Sequence, residues 1–122
     1  MPVSVLIVDD EPTFRGHAGE LVELSGLHVA GEAADGPEAL RLARQLRPAA
    51  VLLDVNLPGD DGLSVARSLA RLPEPPRVLL VSADADVADE EVRACGAVAF
   101  IPKEELPVSD LHALLAAPAG DA

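Results

Sequence analysis

Apolar residues fall along this chain in two alternating rhythms. Short runs at Val3 to Val8, Ala50 to Leu53, Arg77 to Val81 and Val98 to Ile101, with a weaker one at His28 to Gly31, have the length of strands. Their nearly continuous apolar character suits strands covered on both faces. Between them the spacing is helical: Phe14, Ala18, Leu21 and Val22; then Leu40, Ala43 and Leu46; then Leu63, Ala66 and Leu69. Each set gives one helix a stripe to bury. Alternating strands and helices predict repeated βαβ units around a parallel sheet.

Local signals sharpen the boundaries. Asp35 and Glu38 have capping-box spacing with Pro37 in the first turn, and Gly96 follows the helical segment Val87 to Cys95 where a terminating glycine belongs. Ser109 is placed to cap a last helix carrying Leu111, Leu114 and Leu115. Pro73 to Pro76 reads as a stiff connector, residues 1–117 as one domain, and residues 118–122 as a frayed tail.

The chemistry lies in the residues at the carboxyl end of four of these strands. Asp9 and Asp10 come after the first, Asp54 after the third, Ser82 after the fourth, and Pro102 and Lys103 after the fifth. In a parallel sheet all carboxyl ends lie on one edge, outside which open α/β sheets bind their ligands. An acid after three branched apolar residues therefore belongs at the rim and not in the core. With the common doubly wound order 2-1-3-4-5 and strands roughly 4.8 Å apart, Asp9, Asp10 and Asp54 crowd into one pocket. Two carboxylates about 4 Å apart repel by about 4 kcal/mol at an effective dielectric near 20, so the cluster requires a cation. An all-oxygen site with room for water and phosphate oxygens suits Mg²⁺, or Mn²⁺ as a substitute, better than Zn²⁺. Lys103, on a long stem, adds a positive charge from the opposite side, and the set forms an anion-neutralising clamp of the kind phosphoryl transfer needs.

Composition narrows the partners. The chain has 122 residues, a net charge of −12 and no Lys/Arg cluster, which disfavours direct binding to nucleic acid or to an anionic membrane. No apolar run approaches the roughly 18 residues of a membrane span. The start MPVSVLIVDD reads as a first strand and not as a signal peptide, and the single cysteine, Cys95, fits a reducing compartment; the expected location is cytoplasmic. His17, His28 and His112 are scattered with no metal-ligand spacing.

The segments VLIVDDEP, GEAADGPEALRLA, LLDVNLPGDDGL, RVLLVSA and GAVAFIPKEEL, in this order, resemble those of bacterial response-regulator receiver domains, and especially the receivers of LuxR-type regulators. The likeness covers roughly Val3 to Leu115. It implies a flavodoxin-like doubly wound five-stranded parallel sheet, order 2-1-3-4-5, with five helices on both faces. It further implies that Asp54 accepts a phosphoryl group from a histidine kinase or histidine phosphotransfer protein, with Asp9, Asp10, Asp54 and the Asn56 main-chain carbonyl around Mg²⁺. Lys103 would pair with the phosphoryl group and Ser82 would hydrogen-bond it. Phe100 matches the aromatic switch position, and Asn56 and Asp84 the positions that tune signal lifetime. The fourth helix, fifth strand and fifth helix would form the output surface toward a domain or protein partner, and could support a homodimer on phosphorylation. Self-phosphorylation from small donors and autodephosphorylation are implied by the same likeness.

Three positions depart from the family pattern. Ser82 replaces the commoner Thr, Pro102 precedes Lys103 and Glu104 follows it where a proline and an often cis bond are usual, and Asp60 adds charge near the site. Competing readings fit less well. A flavin-binding module needs a phosphate cradle where DDEP stands, and an aspartate-nucleophile phosphatase of the haloacid-dehalogenase type needs its nucleophile on the first strand. A receiver-like interaction module that works without phosphorylation is the alternative that remains. No helix-turn-helix follows, so a stand-alone regulator and a part of a DNA-binding regulator both stay open.

Overall fold

Parity along each strand decides which side of the sheet a side chain joins. In the computed structural model, which describes residues 3–84 and 86–116, five strands form one parallel sheet. They are β1 (Ser4–Val8), β2 (His28–Ala33), β3 (Ala50–Asp54), β4 (Arg77–Ser82) and β5 (Ala99–Pro102), in the order β2-β1-β3-β4-β5. Val5, Ile7, Ala50, Leu52, Leu79 and Val81 join a core with Ala18 and Val22 of α1 (Pro12–Leu24) and Leu111 and Leu115 of α5 (Leu111–Ala116). The alternate residues Leu6, Val8, Val51, Leu53, Val78 and Leu80 join a second core with α2 (Gly36–Leu46), α3 (Gly62–Ala70) and α4 (Asp89–Ala94). The sheet is thus covered on both faces, two helices on one and three on the other, which is the architecture the sequence predicts.

The differences are local. β2 continues to Ala33, where Asp9 N–H donates to its carbonyl across 3.0 Å, so this edge strand is longer than its weak apolar pattern. α4 is shorter than Val87 to Cys95: it starts at Asp89 with three acids in its first turn, favourable at a helix N-terminus, and Gly96 with φ 85° closes it as expected. The last helix is capped by Asp110 and not Ser109. A 3-10 helix over Lys103–Val108 uses Ser109 to end itself, its hydroxyl donating to Glu105 O at 2.7 Å, while Asp110 Oδ1 accepts from Ala113 N at 3.0 Å. Asp35 caps α2 as read, accepting from Glu38 N at 2.9 Å, but Glu38 Oε1 reaches one residue further to Ala34 N. No peptide bond among the described residues is cis, that of Lys103-Glu104 included. The expected tail, residues 118–122, lies outside the described residues.

Beyond β3 the chain makes a small antiparallel ladder, Asn56–Leu57 with Asp60–Asp61, turning at Gly59 with φ 70°. The ladder returns the chain so that Gly62 N–H donates to Val55 O at 2.8 Å. A Cβ on Gly62 would lie 2.5 Å from both Asp54 O and Val55 Cα, so α3 can start there only with no side chain. Gly16, inside α1, has nothing within 4 Å of such a Cβ. Gly62→Ala should therefore lower stability by roughly 2 kcal/mol through forced backbone movement, while Gly16→Ala should raise it by about 1 kcal/mol. Urea denaturation of the two variants checks both signs, and equal shifts would contradict the packing described.

Candidate functional site

Each strand that ends on this edge delivers a different group. β1 stops at Val8, and Asp9 follows it fully buried, with Oδ1 accepting from Glu11 N at 2.8 Å. Asp10 is exposed. Asp54 is the last residue of β3, paired in register with Val81, and only 4% exposed; its Oδ1 accepts from Asn56 N at 3.1 Å. The sequence places Asp54 at the rim of the sheet, and the structure has it there. The acid is nonetheless buried, with only its edge bordering a cavity there. Ser82 ends β4 and is 1% exposed.

The carboxylates of Asp9, Asp10 and Asp54 each offer an oxygen within 4.8 Å of the others, as the strand order predicts. Lys103, immediately after β5, crosses to them. Its Nζ lies 2.6 Å from Asp9 Oδ2, 3.5 Å from Asp54 Oδ2 and 3.6 Å from Glu11 Oε1, and 4.2 Å from the centre of the Phe14 ring. Four groups from the ends of three strands therefore meet at one point. A cavity of about 320 Å³ opens beside them, lined by Asp10, Glu11, Asp54, Asn56, Ala83, Asp84 and Lys103.

The electrostatics follow from burial. Desolvation pushes Asp54 up to about 6; the Asn56 N–H bond opposes this, the Asp9 charge adds to it, and the Lys103 charge works against it. Burial alone would pull Lys103 down, but its contacts with Asp9 and Asp54 outweigh that and leave it above its ordinary value. Asp9 Oδ2 is the telling atom: buried and ion-paired with Lys103, it receives no hydrogen bond of good geometry. An all-oxygen donor set with one poorly satisfied buried oxygen fits a small hard divalent cation.

Asn56 links this cluster to Ser82. Its Nδ2 donates to Ser82 Oγ at 3.2 Å and to Asp84 Oδ1 at 2.8 Å, and Asp84 N donates to Ser82 Oγ at 3.3 Å. Phe100 stands apart, half-buried on β5 against the core shared with α4, where it lines a surface cavity with Val87, Val92 and Val98. Asp60 does not line the site. Its carboxylate lies over Gly36 at the first turn of α2, 2.8 Å from where a Cβ would stand.

Sequence reasoning missed three contributors. Glu11 borders the cavity and shares Lys103; Phe14, read as core, turns its ring face to the ammonium; Arg15 Nη1 donates to Asp9 O at 2.6 Å while its Nε donates to Glu32 Oε1 at 2.9 Å. Helical spacing does put Glu11 and Arg15 one turn apart, but their targets lie on other elements.

Comparison with known proteins agrees with this geometry. The profile of the response regulator receiver domain matches residues 5–116. The transcriptional regulatory protein PdtaR of Mycobacterium tuberculosis is 35% identical over 111 residues, which are 91% of this chain and 54% of that protein. The positive alginate biosynthesis regulatory protein of Pseudomonas aeruginosa is 42% identical over 103 residues, 83% of this chain and 41% of that one. Among solved structures, the receiver domain of NarL from Mycobacterium tuberculosis superposes with a TM-score of 0.80 at 35% identity, covering 93% of this chain and 96% of that one. A LuxR-family two-component response regulator from Aurantimonas superposes with a TM-score of 0.83 at 30% identity, covering 93% and 82%. The chain spans about half the length of PdtaR and less of the alginate regulator. A parallel sheet that gathers three acids and a lysine on its carboxyl edge, a family profile over nearly its whole length, and relatives above 30% identity agree: the chain belongs to the response regulator receiver domains of two-component systems.

Proposed function

We propose that Asp54 is the phosphoacceptor, and that it takes its phosphoryl group from a phosphohistidine on a histidine kinase or histidine phosphotransfer protein. The observation that carries this is Asp54 itself: a buried carboxylate, short of compensating charge, facing Lys103 and two further acids beside an open cavity. An Asp54 oxygen attacks phosphorus in line, the P–N bond breaks, and its electron pair returns to the imidazole nitrogen, leaving an acyl phosphate. The Asn56 N–H on Oδ1 fixes the direction of the attacking carboxylate. When bound by Asp9, Asp10, Asp54 and the Asn56 main-chain carbonyl, Mg²⁺, or Mn²⁺ in its place, supplies the positive charge that the phosphoryl oxygens require. Lys103 supplies the second positive charge and follows the phosphoryl group. Small phosphodonors serve the same acceptor, and water admitted beside Asn56 and Asp84 removes the group again.

Phosphorylation then favours an active arrangement in which Ser82 donates to the phosphoryl group and Phe100 turns inward. The signal leaves through α4, β5 and α5, to an output domain or protein or to a second copy of the chain. Direct nucleic-acid binding and membrane association have no support in a chain of net charge −12; no helix among the described residues is long and apolar enough to cross a membrane. We place the domain in the cytoplasm, where histidine kinases present their phosphohistidine.

Two measurements test this reading. Acetyl phosphate with Mg²⁺ should give a hydroxylamine-sensitive adduct on Asp54 by mass spectrometry. Labelling should fall to background without the metal and in Asp54→Asn, and persistent labelling of that variant would remove Asp54 from its role. The second is a pH dependence. Because burial raises Asp54 from its ordinary 3.8 to about 6 in the folded chain, its contribution is fully present below about pH 4 and is lost as pH rises through 6. Asp54→Asn should then be more stable than the metal-free native chain at pH 8, by up to roughly 3 kcal/mol. That advantage should shrink toward pH 4 and also on adding Mg²⁺. Urea titrations at both pH values read it, and an Asn variant that is less stable at pH 8 contradicts the raised carboxyl.

A further inference from the structure

We propose that Arg15 is a positioning residue for the cation site, holding the Asp9-Asp10 peptide so that the exposed Asp10 carboxylate converges with those of Asp9 and Asp54. The inference rests on the reading of this site as a Mg²⁺-dependent phosphoacceptor and adds a residue that reading does not use.

The three acids are not held alike. Asp9 and Asp54 are buried, each with Oδ1 on a backbone N–H and Oδ2 beside Lys103. Asp10 is exposed, and no hydrogen bond to its carboxylate is made by any described residue, so its direction is set by the backbone that carries it. That backbone has left the sheet: β1 ends at Val8, and Asp9 keeps one ladder-like bond, from its N–H to Ala33 O at 3.0 Å. Its carbonyl, part of the very peptide that joins Asp9 to Asp10, has Arg15 as its partner. Nη1 donates to Asp9 O at 2.6 Å.

Arg15 is itself fixed. Its Nε donates to Glu32 Oε1 of β2 at 2.9 Å, and its side chain is 18% exposed. Two donors of one planar guanidinium on two acceptors from different elements set both its place and its rotation. Glu32, Arg15 and the Asp9-Asp10 peptide thus form a chain of contacts running from the edge strand to the one carboxylate of the three that burial does not hold. Groups that orient ligands in this way commonly change metal affinity about 10- to 100-fold when removed. An Arg15 that merely ties α1 to β2 would lower stability without changing the affinity of the folded protein.

Calorimetric titration of Mg²⁺ into the native chain and into Arg15→Ala, Arg15→Lys, Glu32→Gln and Asp10→Asn separates these roles, with circular dichroism to show that each is folded. Arg15→Ala should bind Mg²⁺ about 10-fold more weakly. Arg15→Lys should recover part of the loss, because an ammonium keeps the charge but not the fork. With acetyl phosphate, Arg15→Ala should need about 10-fold more Mg²⁺ for half-maximal labelling and reach the native rate at saturation. Native affinity in a folded Arg15→Ala overturns the inference while leaving the phosphoacceptor reading intact. A native chain that fails to bind Mg²⁺, or binds it no better than Asp10→Asn, overturns both. If Arg15→Ala does not fold, Glu32→Gln decides: affinity lowered about 3-fold supports the positioning role, and unchanged affinity rejects it.

Discussion

One ammonium group stands between two carboxylates that the sheet has buried. Asp54 ends β3 and Asp9 follows the neighbouring β1, and Lys103, after β5, reaches both across two and three strand positions, so a compact group of three charges keeps a net negative charge out of water. At an effective dielectric near 20, a pair of like charges about 4 Å apart costs about 4 kcal/mol, and one lysine cannot cancel two acids. Burial first, and that deficit with it, shape the rest of the site. Asp54 holds its proton to about pH 6, Lys103 holds its own more tightly than usual, and Asp9 keeps an oxygen that no hydrogen bond satisfies. The exposed Asp10 adds a further negative charge at the mouth. A fold that tolerates this arrangement stores an affinity for positive charge at one edge of its sheet.

The legible and the illegible parts of the chain divide along the same line. That Asp9, Asp54, Ser82 and Lys103 share an edge is a topological fact: each comes at the end of an apolar run, and all runs of a parallel sheet end on one side. Parity within those runs likewise separates two cores. The depth of Asp54 is not legible, because burial at a strand end depends on the segments around it, among them the ladder after β3, whose return brings Gly62 against the Asp54 main chain. Gly62 makes that return possible, and nothing in the string DDG marks it as different from a turn glycine.

Arg15 and Phe14 are hidden for another reason. Both sit on α1 at positions that a helical pattern explains fully, Phe14 as core and Arg15 as a solvated charge. Their partners, Lys103 and Glu32, lie 89 and 17 positions along the chain and come near only because β2 and β5 flank the sheet as they do. The shift from Ser109 to Asp110 as the last cap is a smaller instance. Ser109 has the right chemistry, but the 3-10 helix before it claims the hydroxyl first.

In the proposed reading, Asn56 gives a change at Asp54 a route to Ser82 and Asp84. Its main chain holds one Asp54 oxygen, and its side chain bridges Ser82 and Asp84. A serine hydroxyl has one proton to give. Here Ser82 directs it toward Asp84 Oδ1 across 3.4 Å, a long contact, while that same oxygen already receives Asn56 Nδ2 at 2.8 Å. Turning the proton of Ser82 toward a new acceptor on Asp54 therefore gives up the weaker of two bonds to Asp84 and leaves the stronger in place. In the proposed reading, a modest differential interaction at the acid is enough to redirect the hydroxyl, because the bond surrendered to Asp84 is the long one while Asn56 and Asp84 stay firmly joined.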